Sequence, residues 1–126
     1  MPKDKYHFLI YPIPEIGCDI FKLNSQVFKK SGKPILDLSF PVEEYLERNF
    51  FVNEEFNSYF EQYKPDNILP VYSEKLFCRT FKENECSIIH DSLPLYLDDD
   101  HLSDFGSSLL VNEITTQIEK KLQITQ

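Results

Sequence analysis

The densest run of reactive side chains is Leu97-Asp98-Asp99-Asp100-His101-Leu102-Ser103, in which Asp98 and His101 stand three positions apart. A carboxylate that accepts a hydrogen bond from one imidazole nitrogen fixes the ring's tautomer. The other nitrogen is then free to take a proton from a nucleophile. Residues three apart in a turn supply such a pair from one rigid piece of backbone. The pattern D-x-x-H alone is weak, because short acidic loops are usually solvated turns. Three adjacent aspartates also suit a hard cation such as calcium or magnesium, which wants several oxygens. The EF-hand spacing with its Gly and closing Glu is absent, and adjacent carboxylates point different ways. The site is therefore read as metal-free, and nothing in the chain calls for a cofactor.

Other candidates carry less. His7 and His90 lie within or beside apolar segments, where a hydrogen-bonded structural histidine is the ordinary role. Asp91-Ser92-Leu93 spells part of a GDSL nucleophile motif, but His90 stands where the Gly should be. No buried strand is expected to lead into it, and Ser92 sits only six residues before Asp98. Ser107 and Ser108 fall inside a predicted helix. The three cysteines, Cys18, Cys78 and Cys86, contain no C-x-x-C pair. Cys78 and Cys86 frame a polar stretch that suits a hairpin tip or a small closed loop. Composition alone leaves a disulfide and two free thiols equally open.

The elements that must position these residues come from one small domain at most, since the chain has 126 residues and 14.9 kDa. With 41% apolar, 14% aromatic and 27% charged residues it has a globular composition. Thirteen basic against twenty-one acidic residues give a net charge of −8, a poor balance for nucleic acid or anionic lipid. The 3 glycines form neither a G-x-G-x-x-G nor a P-loop pattern, which argues against a nucleotide-binding core. No apolar run approaches the roughly 20 residues that span a bilayer. Met1 to Ile10 has too short an apolar stretch for a signal peptide, so the chain as written is expected to stay where it is made.

Residues 6–11 (YHFLIY) read as a strand buried on both faces, ended by Pro12-Ile13-Pro14. A loop follows, then a short helix within residues 19–31. Asp37 to Phe40 reads as a connector. Pro41, with Glu43 and Glu44 behind it, starts the longest helical pattern. That pattern is interrupted near Phe50 to Asn53 and ends at Pro65. Asn67 to Tyr72 reads as a second strand, which makes one parallel crossover. Cys78 to Tyr96 reads as a loop or irregular hairpin. Ser103 reads as the N-cap of a last helix whose apolar face is Phe105, Leu109, Leu110, Ile114, Ile118 and Leu122, with a tail frayed from Gln123. Two parallel strands make a sheet that is rarely stable alone.

Three segments together carry a family likeness. Asp98 to Ser107 (DDDHLSDFGS) resembles the last conserved block of SGNH hydrolases. It is most similar to the SGNH domain fused behind membrane acyltransferases of acyltransferase family three, where the block reads D-D-H-L-S-x-x-G. Tyr11 to Gly17 (YPIPEIG) resembles the P-x-P-E stretch after a central strand in that family. Leu76-Phe77-Cys78 through Cys86 resembles its paired-cysteine segment. The likeness spans about residues 5–122.

The resemblance implies an α/β, flavodoxin-like three-layer fold. It implies His101 as catalytic base, Asp98 as the acid that orients it, and a disulfide between Cys78 and Cys86 in a domain facing the periplasm. Asp99 and Asp100 receive no role. The family's nucleophilic Ser comes from a G-D-S block, and its oxyanion-hole Gly and Asn from two further blocks; none is present here. Residues 1–126 therefore resemble the carboxyl-terminal half of an SGNH domain. The implied function is O-acyl or O-acetyl transfer, with esterase-like chemistry, onto cell-surface polysaccharide such as a lipopolysaccharide sugar. The implied partners are an acyl donor, the polysaccharide acceptor, the missing amino-terminal half and a membrane acyltransferase domain. The competing expectation is an inactive accessory or interaction domain. With sheet edge and helix face uncovered, self-association is expected.

Overall fold

The computed structural model describes residues 5–125. Ten short elements follow one another: β1 (His7–Ile10), α1 (Ile20–Ser31), β2 (Leu38–Pro41), α2 (Val42–Arg48), α3 (Phe50–Tyr63), β3 (Ile68–Val71), α4 (Ser73–Phe77), β4 (Glu85–His90), β5 (Leu93–Pro94) and α5 (Asp104–Thr125).

β1 and β3 form a parallel pair in register from His7 opposite Ile68 to Ile10 opposite Val71. The His7 N–H donates to Asn67 O (2.8 Å) and the Tyr11 N–H to Val71 O (2.9 Å). Odd-numbered residues of β1 thus bond to β3, and Phe8 and Ile10 turn their backbone groups to the other edge. This mixed α/β arrangement, a parallel pair with helices, fits part of the flavodoxin-like fold the family implies. One expectation fails here. β1 is half-buried, and Ile10 is exposed, because a two-stranded sheet cannot cover both of its faces.

The sequence anticipates the second sheet only as the irregular hairpin between Cys78 and Tyr96, which is β4 and β5. β2, β4 and β5 form an antiparallel sheet in that order, so Asp37 to Phe40 is largely strand and not connector. The segment from Cys78 to Tyr96 contains the best-buried strand of the chain. Cys86, Ser87, Ile88 and Ile89 are all buried, so β4 shows no alternation to mark it. Cys86, Ile88 and Ile89 pack with Phe77, Leu95, Tyr96, Val42 and Tyr45 into the main core. Each fully buried Ile or Leu there contributes about 1.5–3 kcal/mol.

Helix boundaries follow local chemistry. Asp19 caps α1 by accepting from the Lys22 N–H at 3.1 Å, and Gly32 closes it with φ 73°. Pro41 lies outside α2 as its capping residue, not at its first turn. The helix break falls at Asn49, whose side-chain amide donates to Tyr45 O at 2.9 Å. α5 keeps its helical backbone to Thr125, past the expected fraying at Gln123.

The loop after β1 is tied down through its own carbonyls, which the prolines leave without ladder partners. Tyr45 OH donates to Pro12 O at 2.8 Å, Tyr96 OH donates to Pro14 O, and Arg48 Nη1 donates to Glu15 O at 2.7 Å. Burial pushes the Tyr96 phenol far above its ordinary pKa, so it acts there as a permanent donor.

Candidate active site

Asp98 to His101 form a small loop closed at its neck. Tyr96 bridges Leu102, the Leu97 N–H donates to His101 O at 2.7 Å, and the Ser103 N–H donates to Leu95 O at 2.9 Å. Leu95 and Tyr96 are buried in the core, so the neck is anchored from below. On the far side the loop runs straight into α5. Ser103 caps that helix: its Oγ accepts from the Gly106 N–H (3.1 Å) and donates to Pro94 O (2.6 Å). Gly106 lets the first turn of α5 lie against Leu95. A Cβ there would collide with Leu95 O.

Within the loop one carboxylate organises everything. Asp98 Oδ1 accepts from the backbone N–H of Asp100 (3.0 Å) and of His101 (2.7 Å). Asp98 Oδ2 lies 2.9 Å from His101 Nδ1 and Oδ1 lies 3.1 Å from it. The two backbone donors, reinforced by the imidazole, hold the Asp98 pKa down at about 2. The hydrogen bond and charge of Asp98 raise the His101 pKa in turn, with Asp100 adding to it. Both groups lie at the surface, and the His101 side chain is 72% exposed. This is an open pair rather than a buried one.

Asp100, given no role in the sequence, is also in contact: its Oδ1 lies 2.8 Å from His101 Nδ1. Its own carboxyl is shifted upward, by partial desolvation and by Asp99 beside it. Asp98, Asp100 and His101 place ligand atoms within 4.8 Å of one another, but both carboxylates are engaged with the imidazole. Since both approach Nδ1, the proton belongs on Nδ1 and Nε2 is the nitrogen left to act as a base.

The other residues singled out fall elsewhere. Cys78 and Cys86 face each other across an antiparallel bridge with their Sγ atoms 1.98 Å apart, and Cys18 is free and exposed. Asp91 and Ser92, both at positive φ (49° and 64°), form the two-residue turn between β4 and β5. A buried strand does lead into them, contrary to expectation, but it turns back as a hairpin and never presents Ser92 as a nucleophile. His90 stacks on Phe81 with ring centroids 4.4 Å apart and lies 3.6 Å from Asp37. The buried Nε2 of His7 lacks the partner expected of a structural histidine among the described residues. Ser108 donates to Phe105 O within α5. Among the described residues no Ser, Thr or Cys side chain is bonded to His101.

Sequence reasoning undervalued Ser103, Gly106 and Asp100. Ser103 was visible as a cap, and Gly106 could have been found as the only Gly of a helix that otherwise has none. No helix among the described residues is long and apolar enough to cross a membrane. No curated protein and no solved structure matches the chain. The family described as SGNH domain (fused to AT3 domains) matches residues 2–116, nearly the whole chain, and the protein belongs to that family.

Proposed function

We propose that this chain supplies the base and its orienting acid to an SGNH-type O-acyltransferase, as the carboxyl-terminal part of the domain. In the complete domain the serine comes from a preceding segment. Its Oγ–H gives a proton to His101 Nε2 as Oγ attacks the acyl carbonyl. The tetrahedral intermediate collapses to acyl-serine, and the departing group takes the proton from Nε2. A sugar hydroxyl then gives its proton to Nε2 and attacks the acyl-serine, which releases the serine with that proton. Hydrolysis is the same sequence with water as acceptor. Asp98 stays ionised throughout and stabilises the imidazolium formed in each half.

The single observation that carries this proposal is the double hold of Asp98. It binds the loop backbone through two N–H groups and the ring through Nδ1, so one carboxylate fixes both the position and the tautomer of the base. The acceptor proposed is cell-surface polysaccharide, such as a lipopolysaccharide sugar, at the periplasmic face of the membrane that carries the fused acyltransferase domain. There the Cys78–Cys86 pair would be held oxidised. The test is His101→Ala in the intact parent protein. Surface O-acylation is expected to fall by about 10³-fold or more; acylation at the wild-type level removes His101 from the mechanism.

A second reading, an inactive accessory domain, is favoured by one observation: His101 has no hydroxyl or thiol partner among the described residues. The DNA directly upstream decides between them. An in-frame G-D-S block with apolar spans supports the transferase, and a promoter with no such extension supports the accessory protein.

A further inference from the structure

A cavity beside the parallel pair lies away from the Asp98 loop. Tyr11 follows the last residue of β1 and Tyr72 the last residue of β3, so both stand at the carboxyl ends of the two parallel strands. Ligands of open α/β sheets bind in that position. The cavity there has a volume of about 430 Å³ and is walled by Tyr11, Tyr72 and Phe50, with Asn53, Asn57 and Glu74 among its polar groups. That volume lies within the range of small-molecule sites, roughly 300–1,000 Å³.

Its polar groups are arranged to leave bonding capacity unspent. Tyr11 OH donates to Asn57 Oδ1 at 2.7 Å, which fixes the Asn57 amide. Burial pushes the Tyr11 phenol up to about 12, so it stays a donor. Asn53 Oδ1 is buried and has no hydrogen-bond partner among the described residues. A buried acceptor without a partner is a cost to the fold, and a small shift of the Asn53 amide would offer it to a bound donor. The charges nearly balance. Glu74 is paired with Arg79, Lys75 sits 4.5 Å over the Tyr72 ring, and Glu54 remains. An anionic ligand would meet Glu54 and Glu74. A neutral ligand with an apolar face and several hydroxyls would meet an aromatic wall, an unpaired amide oxygen and carboxylate acceptors.

The cavity is also connected to the loop that bears His101. Tyr45 lines it and donates to Pro12 O; Tyr96 donates to Pro14 O of the same loop, and Tyr96 leads directly into Leu97 to His101.

We infer that this cavity is a sugar subsite, which takes one uncharged pyranose unit of the acceptor polysaccharide against Phe50 and Tyr72 and hydrogen-bonds it through Asn53. The choice of ligand rests on the acyl-transfer reading; the cavity and the unpartnered Asn53 oxygen do not.

The test is a titration of the ¹⁵N-labelled 126-residue chain with methyl β-glucopyranoside and with maltose, followed by NMR. Saturable shifts are expected at the amides of Asn53, Asn57 and Tyr72. Phe50→Ala, which removes a side chain that is 54% exposed and so spares the fold, should weaken both sugars roughly tenfold. Absence of saturable shifts, or shifts that survive unchanged in Phe50→Ala, overturns the inference. The two proposals fail separately. Sugar binding without dependence of acylation on His101 keeps the subsite and removes the mechanism. Dependence on His101 without sugar binding does the reverse.

Discussion

The half of the molecule that carries His101 and the half that carries β1 are built to different standards. β4, the segment to Tyr96 and the α4 end at Phe77 are sealed: Phe77, Cys86, Ile88 and Leu95 have no measurable exposure. The parallel pair and α3 are not. α3 has no buried residue, Phe51 on it is 82% exposed, and β1 is covered only in part. The two edges of the parallel pair differ as well. Pro70 faces outward from β3 with no N–H to offer, and its carbonyl accepts from Gln117 Nε2 at 3.1 Å. The β1 edge has no such protection, since Phe8 and Ile10 leave their backbone groups unpaired among the described residues. The acid–base loop stands on the finished half, and the unfinished half offers a strand edge that another strand can extend.

The sharpest way to break that contrast is Gly106→Ala. The added methyl collides with Leu95 O at the point where α5 meets the neck of the loop. A loss of about 3 kcal/mol is expected in urea unfolding. Phe51→Ala, in the other half, should stay within about 0.5 kcal/mol. Equal effects of the two changes would dissolve the distinction.

The difference also explains what could be read from the chain. The segments with helical period, α2 with α3 and α5, were legible because one face stays wet and the pattern shows. The parallel strands were legible because apolar runs end abruptly at Pro12 and after Tyr72. The antiparallel sheet was legible only as an irregular hairpin between Cys78 and Tyr96, for opposite reasons. β4 is buried on both faces and does not alternate, and β2 is four residues ending in a proline. At the site, Asp98 and His101 were visible from spacing, but Asp100 was not. Its contact depends on the tight return of the loop from Leu97 to His101, which no residue spacing announces.

A second comparison concerns the link between Cys78 and Cys86, separated by 8 residues in sequence. Loop-closure entropy for a ring of that size gives about 2.5 kcal/mol. Cys86→Ala in protein from an oxidising compartment should lose that amount, whereas protein from a reducing compartment should lose much less. Thiol titration of the denatured, oxidised protein should find one free thiol, that of Cys18; three would contradict the pairing.

A smaller effect tests the unfinished half. Ile10 is 40% exposed on the open strand. Sedimentation should show concentration-dependent association of the chain, and Ile10→Lys should reduce it while changing stability by less than about 1 kcal/mol. A wild-type chain that stays monomeric at every concentration would mean that the β1 edge is not adhesive.

The central claim is that Asp98 holds the His101 ring with its proton on Nδ1. The most direct measurement is a ¹⁵N NMR titration of the imidazole in the wild-type chain and in Asp98→Asn. A raised pKa means that the neutral, base-competent ring is reached only above the ordinary imidazole value of about 6.5, and that activity in a complete domain would fall as pH drops through that higher midpoint. The wild-type midpoint should therefore lie above 6.5, with nitrogen shifts of the Nδ1–H tautomer, and Asp98→Asn should lower it. A midpoint at the ordinary value that does not respond to Asp98→Asn would contradict the account.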